Sequence, residues 1–130
     1  MTRLLLVASG GALGASLRYG ASVLAGRLIP GAAWPWATFA VNVLGGALMG
    51  VLVGWLAARS AGDEGLRLFL AVGVLGGFTT FSAFSLEVVA MVERRDWTMA
   101  AGYVAASVLL SVAALLAGLV MARRLFGAAA

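Results

Sequence analysis

Residues 76–85 read Gly76-Gly77-Phe78-Thr79-Thr80-Phe81-Ser82-Ala83-Phe84-Ser85, a polar and aromatic segment set inside an otherwise apolar run from about residue 66 to residue 92. Two adjacent glycines weaken a helix, and neighbouring threonines either satisfy freed backbone groups or compete for them. The run therefore reads as a helix interrupted in its middle. At membrane depth an interrupted helix persists only where the irregular backbone is buried in protein or lines a cavity. Such an interruption exposes carbonyls at one half-helix end and amides at the other, which makes ion sites. Beyond it, Phe81 and Phe84 lie three apart and adjoin on one helix face. A phenyl ring has a negative face and a positive edge, so a ring edge favours an anion weakly, without the trap a fixed arginine would set.

The flanking composition puts this segment in lipid. Of 130 residues, 63% are hydrophobic and 11% charged, with a mean hydropathy of +1.06. A soluble domain of this length cannot hide so much apolar surface. A membrane-crossing helix needs roughly 20 apolar residues, so four spans with short connections use up the chain. The expected spans are about 4–29, 36–56, 66–92 and 97–122, forming one transmembrane domain over 1–130. Pro30-Gly31 ends the first, Trp34-Pro35-Trp36 opens the second, and Trp55 stands at its far end, as in an interfacial aromatic belt. Glu93-Arg94-Arg95-Asp96 reads as a tight charged turn, residues 59–67 as a polar loop carrying Asp63 and Glu64, and Phe126 to Ala130 as a frayed end. Arg3 before Leu4-Leu5-Leu6 resembles the start of a signal peptide, but Gly10, Gly11 and Gly14 interrupt the apolar stretch, and an uncleaved first span fits better.

Several chemistries are excluded. Without Cys or His there is no thiolate or imidazole for a transition-metal site, no disulfide and no Ser-His or Cys-His nucleophile. The nine basic residues are all arginines, and the formal charge is +4. They are dispersed and mostly stand at span ends, which fits headgroup anchoring and not a nucleic-acid surface. With both termini on one side, that side collects Arg3, Arg59, Arg67, Arg123 and Arg124, and the other Arg27, Arg94 and Arg95. So small a bias is compatible with cytoplasmic termini in one orientation and with insertion both ways.

Glycine supplies 18 residues, with Gly10 and Gly14 on span one, Gly46, Gly50 and Gly54 along span two, and Gly73 and Gly77 leading into the interruption. Four-residue glycine spacing lets helix backbones approach closely in lipid. Among polar groups, Thr38 and Asn42 share one face of span two, and Asn42 is the only Asn in the chain. Asn42 is compatible with an interhelical hydrogen bond worth about 1 kcal/mol as well as with a functional donor. Tyr103, Ser107 and Ser111 recur every four residues on span four, as interhelical glue or as a wet track of hydroxyls. Two ionisable groups sit inside spans: Arg18, and Glu87 beyond the interruption. Both are functional candidates by position, and both are compatible with snorkelling to an interface or a vestibule.

Three segments resemble the fluoride channel family known as Fluc or CrcB. They are Gly10-Gly11-Ala12-Leu13-Gly14-Ala15-Ser16-Leu17-Arg18-Tyr19, Thr38-Phe39-Ala40-Val41-Asn42-Val43-Leu44-Gly45, and Gly76 through Glu87. The resemblance covers essentially the whole chain, and its third segment is the most specific. It implies an all-α membrane protein of four helices, the third broken, forming an antiparallel dual-topology homodimer in the cell inner (plasma) membrane. Two narrow pores at the dimer interface would export fluoride passively. Phe81 and Phe84 would meet fluoride with their ring edges, and Asn42 would be an amide donor. Thr38, Ser107 and Ser111 would fall along the polar path, with Tyr103 close by. The backbone carbonyls of Gly76 and Thr79 would hold a central structural Na⁺, and Arg18 and Glu87 would border a vestibule. Ala83 departs from the Thr common in the family, and Ala37 and Ala47 depart from its usual Gly and Phe.

Two other classes are weaker readings. A small proton-coupled dual-topology exporter needs an acidic residue in its first span, and this span has Arg18 and no acid. A non-transporting membrane assembly protein explains the glycines but leaves Asn42, Phe81 and Phe84 without a reason to cluster.

Overall fold

The computed structural model describes residues 1–59 and 64–127. Asp63 and the last three positions of the expected frayed end lie outside the described residues. Helix α1 spans Thr2–Leu28, α2 Trp36–Ala57, and a short α3 Glu64–Arg67 runs into a π-helical segment, Leu68–Leu75. Helix α4, Gly76–Phe78, continues it for less than a turn. Helix α5 is Phe81–Glu93 and α6 Trp97–Phe126. No strand occurs among the described residues. Among the described residues, three runs are long and apolar enough to cross a membrane: Trp36–Ala57, Glu64–Glu93 and Trp97–Phe126. Helix α1 has the length, at 27 residues, but its arginines, serines and glycines lower its mean hydropathy.

Backbone contact organises the packing. Helix α1 lies along the π-helical segment and α4, and α2 lies along α6. Glycines stand at both seams. A Cβ at Gly10 would overlap the Phe69 carbonyl, and one at Gly14 the Val74 carbonyl. On the second seam, Gly50 meets the Leu115 carbonyl and Gly118 the Ala47 carbonyl in the same way. With no water to drive apolar faces together, van der Waals contact between closely approaching backbones holds such helices. The glycine spacing read from the sequence marks both seams.

The helical run from Glu64 leaves helical geometry at two residues. Thr79 has ψ 158° and Thr80 has φ −151° and ψ 126°, both extended. The Thr79 N–H and its hydroxyl both donate to the Leu75 carbonyl at 3.0 Å. Thr80 then serves as the N-cap of α5, its hydroxyl oxygen accepting from the Ala83 N–H at 3.2 Å.

The charged turn falls between α5 and α6, with Arg95 in the left-handed region at φ 60°. Asp96 caps α6 by accepting the Met99 N–H at 3.2 Å. Helix α6 runs past the expected end at residue 122, through Arg123 and Arg124, and includes Phe126, which the sequence reading left frayed. The physical reason is that arginines are good helix formers and favour the negative end of the helix dipole.

Gly50→Val places branched carbon against backbone that cannot rotate away. It is expected to cost about 1–3 kcal/mol or more of stability, as overpacked sites do, and to lower the melting temperature of the detergent-solubilised protein. Gly102→Ala, where a Cβ meets nothing within 4 Å, should not lower that temperature and should raise it slightly, because Ala is the better helix former.

Candidate functional site

Two side chains from other helices close over the backbone left open at the interruption. The Asn42 Nδ2 donates to the Thr80 carbonyl at 3.0 Å, and the Thr80 N–H donates to Asn42 Oδ1 at 2.8 Å. One carboxamide thus satisfies both backbone groups of one extended residue. From α1, Arg18 Nε donates to the Gly77 carbonyl at 3.2 Å, bringing a cation to the carboxyl end of α4. Cations are favoured there, since the last carbonyls of a helix carry partial negative charge.

Beside the interruption lies an open groove of about 380 Å³, lined by Asn42, Thr79, Thr80, Phe81, Phe84, Ser107 and Ser111 together with apolar residues of α2 and α6. Phe84 is 8% exposed and Phe81 78% exposed. Their ring centroids are 5.5 Å apart with planes inclined at 40°. The Ser107 and Ser111 hydroxyls are buried and have no hydrogen-bond partner among the described residues. A buried polar group left unpaired costs free energy and points to a water or an ion. Five residues proposed from sequence as a pore surface (Asn42, Phe81, Phe84, Ser107 and Ser111) therefore meet in one groove.

Thr38 and Tyr103 are placed differently. Both are buried, at 7% and 0% exposure, and neither lines the groove. The Thr38 hydroxyl donates to Glu87 Oε1 and the Tyr103 hydroxyl to Glu87 Oε2, each at 2.6 Å. A hydroxyl has one proton to donate, so in this arrangement neither is a donor to a third group. Tyr103 instead stacks on the site, its ring 5.3 Å from Phe84 on one side and 5.2 Å from Trp34 on the other. Glu87, α2 and α6 are thereby tied together next to the phenylalanine pair. Gly76 begins α4, and Thr79 follows its end.

Sequence reasoning did not find three of these roles. Thr80 was read only as part of the interruption, although a Thr directly before an apolar helical run is an N-cap signal. Arg18 was read as a vestibule charge, and its contact with Gly77 has no local signature. Trp34, whose buried Nε1 has no partner among the described residues, was read only as a belt residue.

Fold and groove define a multi-pass helical membrane protein with a small polar and aromatic groove beside a helix interruption. The chain belongs to the CrcB-like family (CrcB-like protein, Camphor Resistance), whose sequence model matches residues 5–119. It is 58% identical over 127 residues to a protein of Caulobacter sp. (strain K31) named "Fluoride-specific ion channel FluC", covering 97% of this chain and 98% of that one. A protein of the same name from Phenylobacterium zucineum (strain HLK1) is also 58% identical over 127 residues, covering 97% of this chain and 99% of the relative. One from Agrobacterium fabrum (strain C58 / ATCC 33970) is 48% identical over 126 residues, covering 97% of this chain and 100% of that one.

The Glu87 tie predicts a coupled loss. Thr38→Val and Tyr103→Phe should each lower stability by about 1.5–3 kcal/mol, the range for hydrogen bonds to charged groups. In the double variant the two losses should fail to add, because both bonds end on one carboxylate. Chemical or thermal denaturation of the four proteins in one detergent checks this.

Proposed function

We propose that this protein is a fluoride-selective ion channel of the cell inner membrane, exporting cytoplasmic fluoride passively through two pores per antiparallel homodimer, each subunit crossing four times. It is a channel and not an enzyme. The observation that carries the reading is the groove, in which unpaired Ser107 and Ser111 hydroxyls face the same space as Asn42 and the Phe81–Phe84 pair. The names borne by full-length relatives at 58% identity point to the same ion.

Fluoride is small, hard and strongly hydrated, so a path for it must replace water with donors. Here Ser107, Ser111 and Asn42 supply hydrogen-bond donors, and the phenyl ring edges supply weak positive potential. Several modest sites let the ion enter and leave, where one strong site would hold it. Narrowness would exclude larger anions.

The dimer reading is supported by the groove's openness, since a pore needs a second wall. It is also supported by the 78% exposure of Phe81 on the open groove, and by the small arginine bias between the two sides. Carbonyl oxygens suit a hard cation. The Gly76 and Thr79 carbonyls of one chain are too few to enclose Na⁺, so in this reading the carbonyls of both copies would hold a structural ion together. It would neutralise the carboxyl ends of two α4 helices. The rival proton-coupled exporter finds no support, because the first span has no acid and the Glu87 carboxylate is held by two hydroxyls.

Proteoliposomes loaded with fluoride or chloride test the channel. Wild type should release fluoride and retain chloride with no proton gradient. Ser107→Ala, Asn42→Ala and Phe81→Ile should each slow fluoride release, Ser107→Ala by about tenfold for one lost hydrogen bond near 1.4 kcal/mol. Fluoride that stays trapped in wild-type vesicles, or leaves only with a proton gradient, would overturn the reading. Crosslinking that found only parallel dimers would overturn the antiparallel arrangement.

A further inference from the structure

We infer that Asn42 is a polarity lock: its pairing with Thr80 commits the carboxamide oxygen to the Thr80 N–H and leaves one N–H as the donor available to the groove. The inference rests on the channel reading and adds to it a structural origin for anion-over-cation preference at this position.

A carboxamide has one acceptor oxygen and two N–H donors, and it inverts its polarity by rotating half a turn. An unrestrained Asn on a pore wall can therefore serve a cation with its oxygen or an anion with its nitrogen. Asn42 does not have that freedom. Its oxygen accepts the Thr80 N–H at 2.8 Å, and its nitrogen donates to the Thr80 carbonyl at 3.0 Å. Rotation by half a turn would set N–H against N–H and oxygen against oxygen, losing two bonds and creating two like-dipole contacts.

The lock itself is held at both ends. Thr80 is extended, so its N–H and carbonyl are free of helical pairing, and its hydroxyl caps α5 through the Ala83 N–H. Asn42 is carried by α2, which packs tightly along α6. With one N–H bound to Thr80, a single N–H remains, on a side chain that lines the groove beside Ser107 and Ser111. The same pairing fixes the start of α5, and with it Phe81 and Phe84. Asn42 is thus both a donor and a positioning residue.

The composition makes the test direct. The chain contains one Asn and no Gln, so ¹⁵N-asparagine labelling gives one side-chain NH₂ signal pair, with no assignment needed. In detergent-solubilised wild type, the two protons should be resolved from each other. One, bonded to the Thr80 carbonyl, should exchange slowly with water and ignore added sodium fluoride. The other should shift with fluoride in a saturable manner and remain unmoved by the same concentration of sodium chloride. Two protons averaged by rotation, two that respond to fluoride alike, or two that ignore it would each overturn the lock. The second measurement is the reversal potential in planar bilayers under a potassium fluoride gradient. Wild type should reverse at the fluoride equilibrium potential, and Asn42→Asp, which places a carboxylate oxygen where the donor was, should reverse nearer that of potassium. An Asn42→Asp channel that conducts with undiminished anion preference would overturn the inference. If wild-type vesicles release no fluoride, the channel reading itself fails. If wild type conducts and the amide protons behave alike, only the lock fails.

Discussion

An apolar helix that stops and restarts must have its open backbone groups satisfied by protein, because lipid offers none. At Thr79 and Thr80 this requirement draws in groups from three helical segments. Thr79 turns both its N–H and its hydroxyl back to Leu75, Asn42 pairs with both backbone groups of Thr80, and Arg18 reaches Gly77. Asn42 and Arg18 come from helices that pack against the interrupted run. The interruption is therefore a joint at which three parts of the fold are fastened, and it can be rigid although it is not helical. A rigid joint matters because Phe81 and Phe84 begin the helix that follows it.

The close seams serve the same joint. Reaching Thr80 from α2 takes the short Asn side chain only if α2 lies near the interruption, and Gly45, against which the Thr79 methyl packs, lets it do so. Gly14 and Gly77 do the equivalent for α1, bringing Arg18 within reach of a backbone carbonyl. Small residues at these positions set the distance over which the polar contacts work. Packing and hydrogen bonding are therefore not separable contributions here. A larger residue at a seam would lengthen a hydrogen bond made a turn away on the same face of that helix.

Much of this was legible in the sequence, for identifiable reasons. Apolar runs of near-bilayer length, glycines at four-residue spacing and a Gly-Gly-x-Thr-Thr segment are local signals, and each describes one helix by itself. Partnerships between helices were not legible. Thr38, Tyr103 and Glu87 were each picked out as polar groups in apolar surroundings, but that two hydroxyls converge on one carboxylate depends on the rotational phase of three helices. The pairing of Asn42 with Thr80, 38 positions away, depends on it likewise. Helix boundaries followed the same division. The ends at Leu28 and Glu93 lie beside turn signals, whereas the end of α6 was misplaced because arginines mark an interface without ending a helix.

The division of hydroxyls has a mechanistic consequence. A hydroxyl directed at a carboxylate presents only lone pairs to anything else, and Thr38 and Tyr103 are so directed. Ser107 and Ser111 have no such partner. Along α6 the two kinds are adjacent, Tyr103 bonded to Glu87 and Ser107 lining the groove, one turn apart. The stripe that looked uniform in sequence is thus two stretches, one fastening the bundle and one lining the groove. An anion moving along it would find donors only where the structure leaves them unused. Glu87 sets that boundary: its two oxygens accept the Thr38 and Tyr103 hydroxyls, and the hydroxyls that line the groove begin at Ser107.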